Sequence, residues 1–421
     1  MSQIADGELL LSCLGLGTDG RRAEWGEQLS NREWGSVIRQ SARHGVTALL
    51  YERLKTFSLS TNIPALVMQE LREIALQGAI RNLGLWSELS RVLRPLQAHG
   101  IPVIVLKGAH LAEVVYGNRA LRPMVDVDIL VRKRDLSRVE AHLVEMGYGR
   151  PEHPTITVDP AKHHHLPRLT KPGGCTIEVH WAIERLGTPF IIEADELWGR
   201  ARPAVIAGVH ALVLSPVDLV LHLCLHTSFG HKFVFGLRSF WDIAETIRYY
   251  RDEIDWEQVQ SRACQWRIGK YVYLTLRLAR DLVKAAVPDE VLSSLQPDGF
   301  DPQVTAWART QIFSDEWADP HISPNVARMW GLKKLQEKAA LFLKIALPRR
   351  ELMARLHPVP VDSRRIYLYY PVRWQYLLRQ YARAAWGLMR HDQAMGAVAE
   401  RENQRTALRE WLAPDGRSHR S

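Results

Sequence analysis

Three short apolar runs rich in β-branched residues, set between long stretches with a helical pattern, limit the folds open to this 421-residue chain. The runs cover residues 101–106, 124–131 and 175–181, and a helical pattern follows each of the first two. Strand–helix–strand–helix–strand over so short a stretch describes a small α/β domain. We therefore predict an α+β fold in which a small mixed β-sheet domain is embedded between helical N-terminal and C-terminal regions.

The length and the local patterns divide the chain into four parts, because 421 residues exceed what one hydrophobic core usually holds. The predicted parts are a helical N-terminal region, 1–100, an α/β domain, 101–210, a helical domain, 211–320, and a basic, aromatic-rich helical region, 321–421. Apolar residues make up 46% of the chain and charged residues 24%. That balance excludes disordered, collagen-like and small disulfide-stabilised proteins.

Helical patterns on both sides of the α/β domain give the expectations for single elements. In the N-terminal region, apolar spacing indicates helices within residues 34–50, 66–74 and 85–96, and Pro95 is expected to kink the last of them or end it early. Ser215, with a proline next in the chain, is a strong helix start. From there on, helices are predicted over residues 219–226, 240–250, 256–265 and 271–286.

Hydropathy and cysteine spacing bear on the cellular compartment. No apolar run approaches the roughly 18 residues of a membrane-spanning helix, and acidic residues near the start of the chain do not fit a signal peptide. The four cysteines lie far apart without a CxxC pair, which argues against a zinc finger or a disulfide framework. We expect a cytoplasmic protein with reduced thiols, with peripheral membrane contact as a further option.

The basic excess of the chain is confined to its last quarter. Residues 321–421 contain 19 Lys and Arg against 8 Asp and Glu, whereas residues 1–320 contain 36 against 38. A basic end on a neutral body is typical of a separate docking element. Within it, arginines alternate with aromatic residues over residues 364–390. This stretch is interpreted first as a packing face within the chain or for a protein partner, then as an anionic-membrane surface, and least as a nucleic-acid site.

Two acids interrupt the second apolar run. Asp126 and Asp128 point to the same side of a strand, about 6–7 Å apart, because strand side chains alternate. Two unpaired carboxylates on an apolar strand repel each other and lose hydration, so a divalent cation is the usual neutralising partner, and oxygen ligands suit Mg²⁺. Glu178 adds a third acid if its strand lies beside this one. Three converging carboxylates meet the requirement of two-metal phosphoryl chemistry.

A phosphate-binding side is predicted next to these acids. Lys107 and Gly108 lie at a strand-to-helix junction, where free backbone N–H groups and the positive helix end attract anions. Arg122 has two compatible interpretations, a phosphate contact and an ion pair with Asp126. His180 alternates with Glu178 and therefore shares the acid-bearing face, where it is assigned to nucleotide binding, although a hydrogen-bonded strand histidine is the alternative.

Further histidines have structural and functional interpretations. Three adjacent histidines at 163–165 cannot all face one ion, and we expect a loop near the mouth of the site, with His165 in the acceptor pocket. His222 and His226 lie one turn apart on a helix, and with Asp242 downstream they resemble a zinc site. No glutamate stands between them as in HExxH, so structural or pocket histidines are preferred to a metal site.

Together these motifs resemble the uncharacterised nucleotidyltransferase-like family, which belongs to the polymerase-β-like nucleotidyltransferase superfamily. The resemblance extends from about Trp25 to Ala286. The residues that carry it are Arg81-Asn82, Lys107-Gly108, Arg122-Pro123-Met124, Asp126, Asp128, Glu178-Val179-His180-Trp181, His222, His226, Arg238 and Asp242-Ile243.

The resemblance implies a role for each acid and for the glycine. Asp126 and Asp128 would hold Mg²⁺ or Mn²⁺, Glu178 would complete the metal site or act as base, and Gly108 would match the phosphate-contacting glycine. Two departures are visible. Ala109 stands where the superfamily has Ser or Gly, and Gly108 precedes Asp126 by 18 residues, which is longer than the superfamily norm though usual for this subfamily.

The function predicted from the sequence is Mg²⁺-dependent transfer of a nucleoside monophosphate from an NTP, ATP among the candidates, to a hydroxyl-bearing small-molecule, sugar or peptide acceptor. Lys107, Gly108, Arg122 and His180 would bind the nucleotide. The acceptor pocket would contain His165, His222, His226, Arg238 and Asp242. Two rival classes are a non-catalytic nucleotide- or partner-binding module with the same fold, and a metal-dependent hydrolase centred on His222, His226 and Asp242.

Overall fold

The computed structural model describes most of the chain and divides it into two compact units. One unit contains residues 1–301 and 412–421, and the other contains residues 302–411. The α+β class predicted from the sequence is confirmed, whereas the four-part division stays a prediction. The described residues are 3–16, 29–57, 63–150, 163–185, 187–314, 324–332, 334–356, 363–377, 379 and 393–414.

A five-stranded mixed sheet forms the centre of the first unit, with the strand order β3-β2-β1-β5-β4. β1 pairs antiparallel with β2 and parallel with β5, β2 pairs parallel with β3, and β4 pairs antiparallel with β5. The sheet therefore holds the three strands expected from the sequence and two more. Its strands are β1 (Ile104–Val105), β2 (Asp126–Leu130), β3 (Thr176–His180), β4 (Arg202–Ile206) and β5 (Val209–Val213).

The last two strands form a hairpin that the sequence pattern did not reveal. Pro203 lowers the strand signal of β4, which is tolerated because β4 is an edge strand and needs no ladder hydrogen bond on its free side. Ala207 and Gly208 connect the strands with φ angles of 53° and 70°. Positive φ at both central residues is the geometry of a tight hairpin turn.

Helices before the sheet form the N-terminal part of this unit: α1 (Gln3–Cys13), α2 (Asn31–Arg43), α3 (Thr47–Phe57) and α4 (Ala65–Ala98). The patterns at 66–74 and 85–96 belong to one helix of 34 residues, α4, which corrects the expectation of separate helices. Pro95 does not end it early, since only the last turn follows and little helix remains to be disturbed. α2 begins with a capping box in which Ser30 and Glu33 bind each other's backbone N–H.

One face of the sheet is covered by α4 and α6 (Leu136–Glu145). Val127, Ile129, Ile177 and Val179 project from β2 and β3 into this core, together with Leu89 and Leu93 of α4. Since side chains alternate along a strand, Asp126, Asp128, Glu178 and His180 project from the opposite face. The packing of the core thus determines where the acids emerge.

The opposite side of the unit is helical. α5 (Lys107–His110) continues into a π-helical turn at Leu111–Val115. As the sequence indicated, Ser215 caps the helix α8 (Pro216–Leu225) by accepting a hydrogen bond from the backbone N–H of Asp218. α8 is buried over its whole length and continues into a second π-helical turn at His226–Gly230. The remaining helices are α7 (Ala194–Arg200), α8 (Pro216–Leu225), α9 (Leu237–Tyr249), α10 (Trp256–Gln265), α11 (Gly269–Val283) and α12 (Asp289–Leu295).

The second unit is helical throughout its described residues. None of the helices in the described part of the chain combines the length and the apolarity needed to cross a bilayer. Residues 380–392, part of the predicted basic aromatic stretch, lie outside the described residues. The helices of this unit are α13 (Gln303–Phe313), α14 (Pro324–Gly331), α15 (Leu335–Ala346), α16 (Arg350–Leu356), a 3₁₀ turn (Arg364–Leu368), α17 (369–377) and α18 (Gln393–Trp411).

Candidate active site

The parallel pairing of β2 with β3 brings two acids side by side. Asp128 is opposite Glu178 in the register, and both side chains are buried on the sheet face away from the core. Asp126 begins β2 on the same face and is only partly buried. Asp126, Asp128, Glu178 and His180 thus form a polar group on one face of β2 and β3.

Asp128, Glu178 and His180 form a group with the dimensions of a metal site. One ligand atom from each of these residues lies within 4.8 Å of the others, and among the described residues this is the group that could hold an ion. His180 Nε2 is 3.0 Å from Asp128 Oδ1 and 3.5 Å from Glu178 Oε2. The ligands predicted from the sequence are Asp126, Asp128 and Glu178, with His180 on the nucleotide, so the group in the structure has His180 in place of Asp126.

The donor chemistry of this group fits a divalent cation. Carboxylate oxygens suit Mg²⁺ and Mn²⁺, and an imidazole nitrogen is more acceptable to Mn²⁺ than to Mg²⁺. Asp126 lies outside the group of ligand atoms within 4.8 Å, although Asp128 and Glu178 are near enough to raise its pKa. The residues present therefore fit the metal that the predicted chemistry requires.

Cations on both sides neutralise the two central acids. Lys107 Nζ lies 3.0 Å from Asp128 Oδ2, and Arg168 Nε donates to Glu178 Oε1 at 2.6 Å. Burial acts to raise the pKa of Asp128, but Lys107 and His180 outweigh it and hold that pKa well below its usual value. Hydrogen bonding from His180, with Arg168 helping, lowers the pKa of Glu178 to about 2. Both carboxyl groups are consequently ionised at neutral pH.

The pKa values of Asp126 and His180 are raised, in contrast to those of Asp128 and Glu178. Burial and repulsion by Asp128 and Glu178 raise the pKa of Asp126. Burial acts to lower the pKa of His180, but its hydrogen bonds to Asp128 and Glu178 raise it overall. His180 therefore carries positive charge more readily than a free histidine and helps to balance the acids.

Gly108 is placed where the chain turns from β1 into α5. A Cβ atom added there would lie 3.3 Å from Nη1 of Arg122 and 3.3 Å from Sδ of Met124. The absence of a side chain at Gly108 thus allows the Arg122 guanidinium to approach the backbone of the predicted phosphate turn. Lys107, immediately before it, contacts Asp128 rather than standing free at the strand end.

Arg122 is held by a residue 120 positions away. Its Nε and Nη2 donate to the two oxygens of Asp242 at 2.9 and 2.8 Å, and Tyr116 Oη donates to the same carboxylate at 2.9 Å. The ion pair with Asp126 that the sequence analysis offered is not formed, because Asp242 occupies that side of the guanidinium. Both oxygens of Asp242 are engaged, which leaves the hydrolase hypothesis without a free carboxylate for its metal.

Asn82 of α4 fixes the loop that carries Arg122. Its amide nitrogen donates to the carbonyl of Arg122 at 2.8 Å, and its amide oxygen accepts the backbone N–H of Met124 at 3.1 Å. Arg238 adds a bond from Nη1 to the carbonyl of Pro123 at 3.1 Å. The sequence analysis noted Asn82 only as part of a resemblance and missed Arg168, whose pairing across the sheet leaves no local pattern.

Two groups of histidines flank the acids. The rings of His164, His165 and His180 have centroid separations of 4.6, 5.1 and 5.4 Å, and His165 forms a β-bridge with His180. Nε2 of His226 is 3.0 Å from Nε2 of His231. His165 and His226, both predicted pocket residues, thus lie in separate clusters.

The second cluster continues along an aromatic surface that we call the histidine wall, comprising His222, His226, His231, Phe235 and Arg238. Successive members are close: the ring of His231 is 4.1 Å from that of Phe235, and the Arg238 guanidinium is 5.7 Å from the Phe235 centroid. Burial lowers the pKa of His222 to about 3 and that of His231 to about 4, so both are neutral at pH 7. Smaller electrostatic contributions to both pKa values come from Lys107 and Asp128.

Comparison with known proteins gives one family and one structure. The solution structure of the antibiotic-resistance factor ANT(2'')-Ia, described as revealing substrate-regulated conformation dynamics, is similar over 46% of this chain and 95% of that chain, with 12% sequence identity and a TM-score of 0.32. No curated protein matches the chain. The family model of the uncharacterised nucleotidyltransferases matches residues 30–284, which include the sheet, the acids and the histidine wall. With more than half of its length matched, this chain belongs to the uncharacterised nucleotidyltransferase family.

Proposed function

We propose that the protein transfers a nucleoside monophosphate from an NTP to a hydroxyl group of a small-molecule, sugar or peptide acceptor and releases pyrophosphate. The observation that carries this proposal is the group formed by Asp128, Glu178 and His180 within 4.8 Å, beside the Lys107-Gly108 turn. Acids that hold a divalent ion next to a phosphate-binding turn are what phosphoryl transfer needs, because its catalysis is mainly positioning and charge neutralisation.

Asp128 and Glu178 would hold Mg²⁺ or Mn²⁺, with Asp126 as a third ligand. The bound ion would supply charge neutralisation for the triphosphate and acidify the attacking hydroxyl. A pKa of about 2 makes Glu178 a poor proton acceptor, so we assign it to metal binding rather than to the base role. Asp126, whose pKa is raised, is the better proton acceptor of the three.

Lys107, Gly108 and Arg122 would bind the phosphates. Asp242 and Tyr116 fix the Arg122 guanidinium through Nε and Nη2, and Nη1 is left on the side of Gly108. A guanidinium that is already oriented loses less entropy when it binds an anion. In this proposal Asp242 positions Arg122 and does not touch the acceptor.

The histidine wall would form the acceptor side. Within the part of the chain that the structure describes, the wall offers neutral imidazoles, an exposed phenyl ring and one guanidinium, but no carboxylate. Neutral imidazoles can donate or accept hydrogen bonds and a guanidinium can donate them, so the wall suits a hydroxyl-bearing acceptor. His165, next to His180, would contact the acceptor or the nucleotide from the other side.

The test supplies α-labelled ATP, GTP, CTP and UTP with Mg²⁺ or Mn²⁺ and a cell extract. We expect label on an acceptor and pyrophosphate release with the wild-type protein, and at least a hundredfold loss with Asp128→Asn. Asp252→Asn, an exposed surface acid in the same unit, serves as the matched control and should remain active. Equal pyrophosphate release by Asp128→Asn and wild type would contradict the proposal.

A non-catalytic binding module is the second candidate, favoured by one observation. Lys107 contacts Asp128 at 3.0 Å, so side chains alone balance part of the charge of the acids. This candidate predicts NTP binding that survives Asp128→Asn, with no pyrophosphate released by any variant. Equilibrium binding of a fluorescent NTP, measured alongside the transfer assay, separates the two candidates.

A further inference from the structure

The second unit exposes a concentration of large apolar side chains that the proposed reaction does not use. Among the described residues, nine of the twenty large hydrophobic side chains that are exposed fall between residues 342 and 376. Apolar exposure on this scale in one short stretch is typical of an interaction surface rather than of scattered surface residues. The nine are Phe342, Leu343, Leu347, Leu352, Tyr367, Leu368, Val372, Trp374 and Tyr376.

We call residues 335–379 the basic aromatic module, and its described residues, 335–356, 363–377 and 379, contain helices that contact one another. α17 packs on the end of α15 through polar bonds: Trp374 Nε1 donates to the carbonyl of Ala346 at 2.7 Å, and Arg373 Nε donates to that of Ile345 at 3.2 Å. Tyr370 Oη donates to the carbonyl of Pro348 at 2.7 Å. These bonds satisfy carbonyl groups that a helix end leaves without partners.

The polar atoms of Tyr370 and Trp374 therefore form hydrogen bonds within the module, whereas several apolar side chains are exposed to solvent. Leu368 is 72% exposed and Phe342 57% exposed. Trp374, although its indole N–H is bonded, remains 43% exposed. An aromatic ring with one satisfied polar atom and a wide apolar surface is suited to the boundary between water and an apolar phase.

The net positive charge of the module indicates what kind of surface it binds. Residues 335–379 contain nine Lys and Arg against three Asp and Glu, whereas residues 1–320 are nearly neutral. The module therefore complements an anionic surface better than it complements a second copy of this chain. We propose that the basic aromatic module binds the surface of a membrane that contains anionic lipids, with its exposed leucines and aromatic rings inserted among the headgroups.

Co-sedimentation of the full-length protein with lipid vesicles tests this proposal without nucleotide or acceptor, so its outcome is independent of the transfer reaction. We expect binding to vesicles that contain about 30% phosphatidylglycerol, weak binding to pure phosphatidylcholine, and release at about 1 M salt, where charges are screened. Leu343→Ser/Leu368→Ser should lower the bound fraction about fivefold or more, since two inserted side chains are lost.

Matched variants distinguish insertion from a loss of folding. Leu66→Ser/Leu76→Ser removes two exposed leucines from α4 in the first unit and should leave vesicle binding unchanged. Arg364→Glu/Arg365→Glu should weaken binding to anionic vesicles, whereas Lys55→Glu, an exposed lysine of α3, should not. Circular dichroism of each variant checks that its helix content equals that of the wild type.

Three results would overturn the proposal. One is sedimentation that is equal for anionic and neutral vesicles, or that is unaffected by Leu343→Ser/Leu368→Ser. Another is tight binding of a single-stranded oligonucleotide with no binding to vesicles. The third is a dimer that Leu343→Ser/Leu368→Ser dissociates while vesicles do not bind, which would assign the module to contact between copies of the chain.

Discussion

Lys107 is the residue on which the charge balance of the site most depends. It contacts Asp128 at 3.0 Å and lies beside the turn that is proposed to bind phosphates. Lys107→Met removes that charge and should raise KM for the NTP by about tenfold, because a charged hydrogen bond contributes roughly 1.5–3 kcal/mol. Steady-state kinetics on pyrophosphate release measure it, with Lys55→Met as the surface control. An unchanged KM would remove Lys107 from the nucleotide site.

Asp242 holds the Arg122 guanidinium through two hydrogen bonds and accepts a third from Tyr116. Asp242→Asn leaves a buried guanidinium without its carboxylate and should lower the free energy of unfolding by about 3 kcal/mol. Urea denaturation monitors the loss, and Asp252→Asn should change stability by less than about 0.5 kcal/mol. In a double-mutant cycle with Arg122→Gln, most of the loss should appear as coupling. Additive effects of the two substitutions would contradict the bidentate pair as the cause.

At the scale of elements, the strand-to-helix turn at Gly108 gives a contrast between two glycines. Gly108→Ala places a methyl group 3.3 Å from the Arg122 guanidinium and should raise KM for the NTP by displacing it. Gly84→Ala, inside α4 with open space around it, should instead raise stability by about 1 kcal/mol. Thermal unfolding and kinetics on both variants check the pair. If Gly84→Ala is stabilised and Gly108→Ala has an unchanged KM for the NTP, the close approach of the Arg122 guanidinium to Gly108 does not matter for nucleotide binding.

The strands that carry the site could be predicted from the sequence, and the elements around them only in part. Alternation along residues 124–131 and 175–181 is local, and it set the faces of Asp128 and Glu178 correctly in relation to the core. The β4–β5 hairpin was missed because a proline weakens the first strand and its stability comes from pairing with β1. The two helical patterns at 66–74 and 85–96 belong to the single helix α4. The residues between them also form helix, because tertiary packing of one face stabilises a long helix more than local propensity does.

The ion pairs that hold the charged residues of the site could not be predicted from the sequence. Arg122 pairs with Asp242 at a separation of 120 residues, and Arg168 reaches Glu178 from a neighbouring extended segment. Nothing in either local sequence distinguishes these partners from other charged residues. The strand pattern predicts which face Asp128 and Glu178 share, whereas the cations that set their pKa values depend on the tertiary fold.

For the whole molecule, buried neutral histidines predict sensitivity to acid. Burial lowers the pKa of both His44 and His110 to about 3, below the value of an unfolded histidine. A group with a lowered folded pKa contributes stability above pH 6.5, and that contribution is lost as the pH falls toward 3. Each fully buried imidazole should therefore cost up to about 1.4 kcal/mol per pH unit below about 6.5.

Thermal unfolding between pH 7.5 and pH 5 measures this acid sensitivity. We expect the Tm to fall steadily below about pH 6.5, and His110→Asn to reduce the slope. His180, with its raised pKa, has the opposite sign, since its contribution is present at lower pH and is lost as the pH rises above its folded value. A Tm that is constant from pH 7.5 to pH 5 would contradict the assignment of buried neutral imidazoles.

We propose that acids from β2 and β3 hold a divalent ion between them. Electron paramagnetic resonance of a Mn²⁺ titration counts free and bound metal directly, without any turnover. We expect the wild type and Asp252→Asn to bind Mn²⁺ with equal affinity, and Asp128→Asn and Glu178→Gln each to bind it at least tenfold more weakly. Wild-type Mn²⁺ affinity in Glu178→Gln would contradict a metal site shared by the two strands, because β3 would then contribute no ligand.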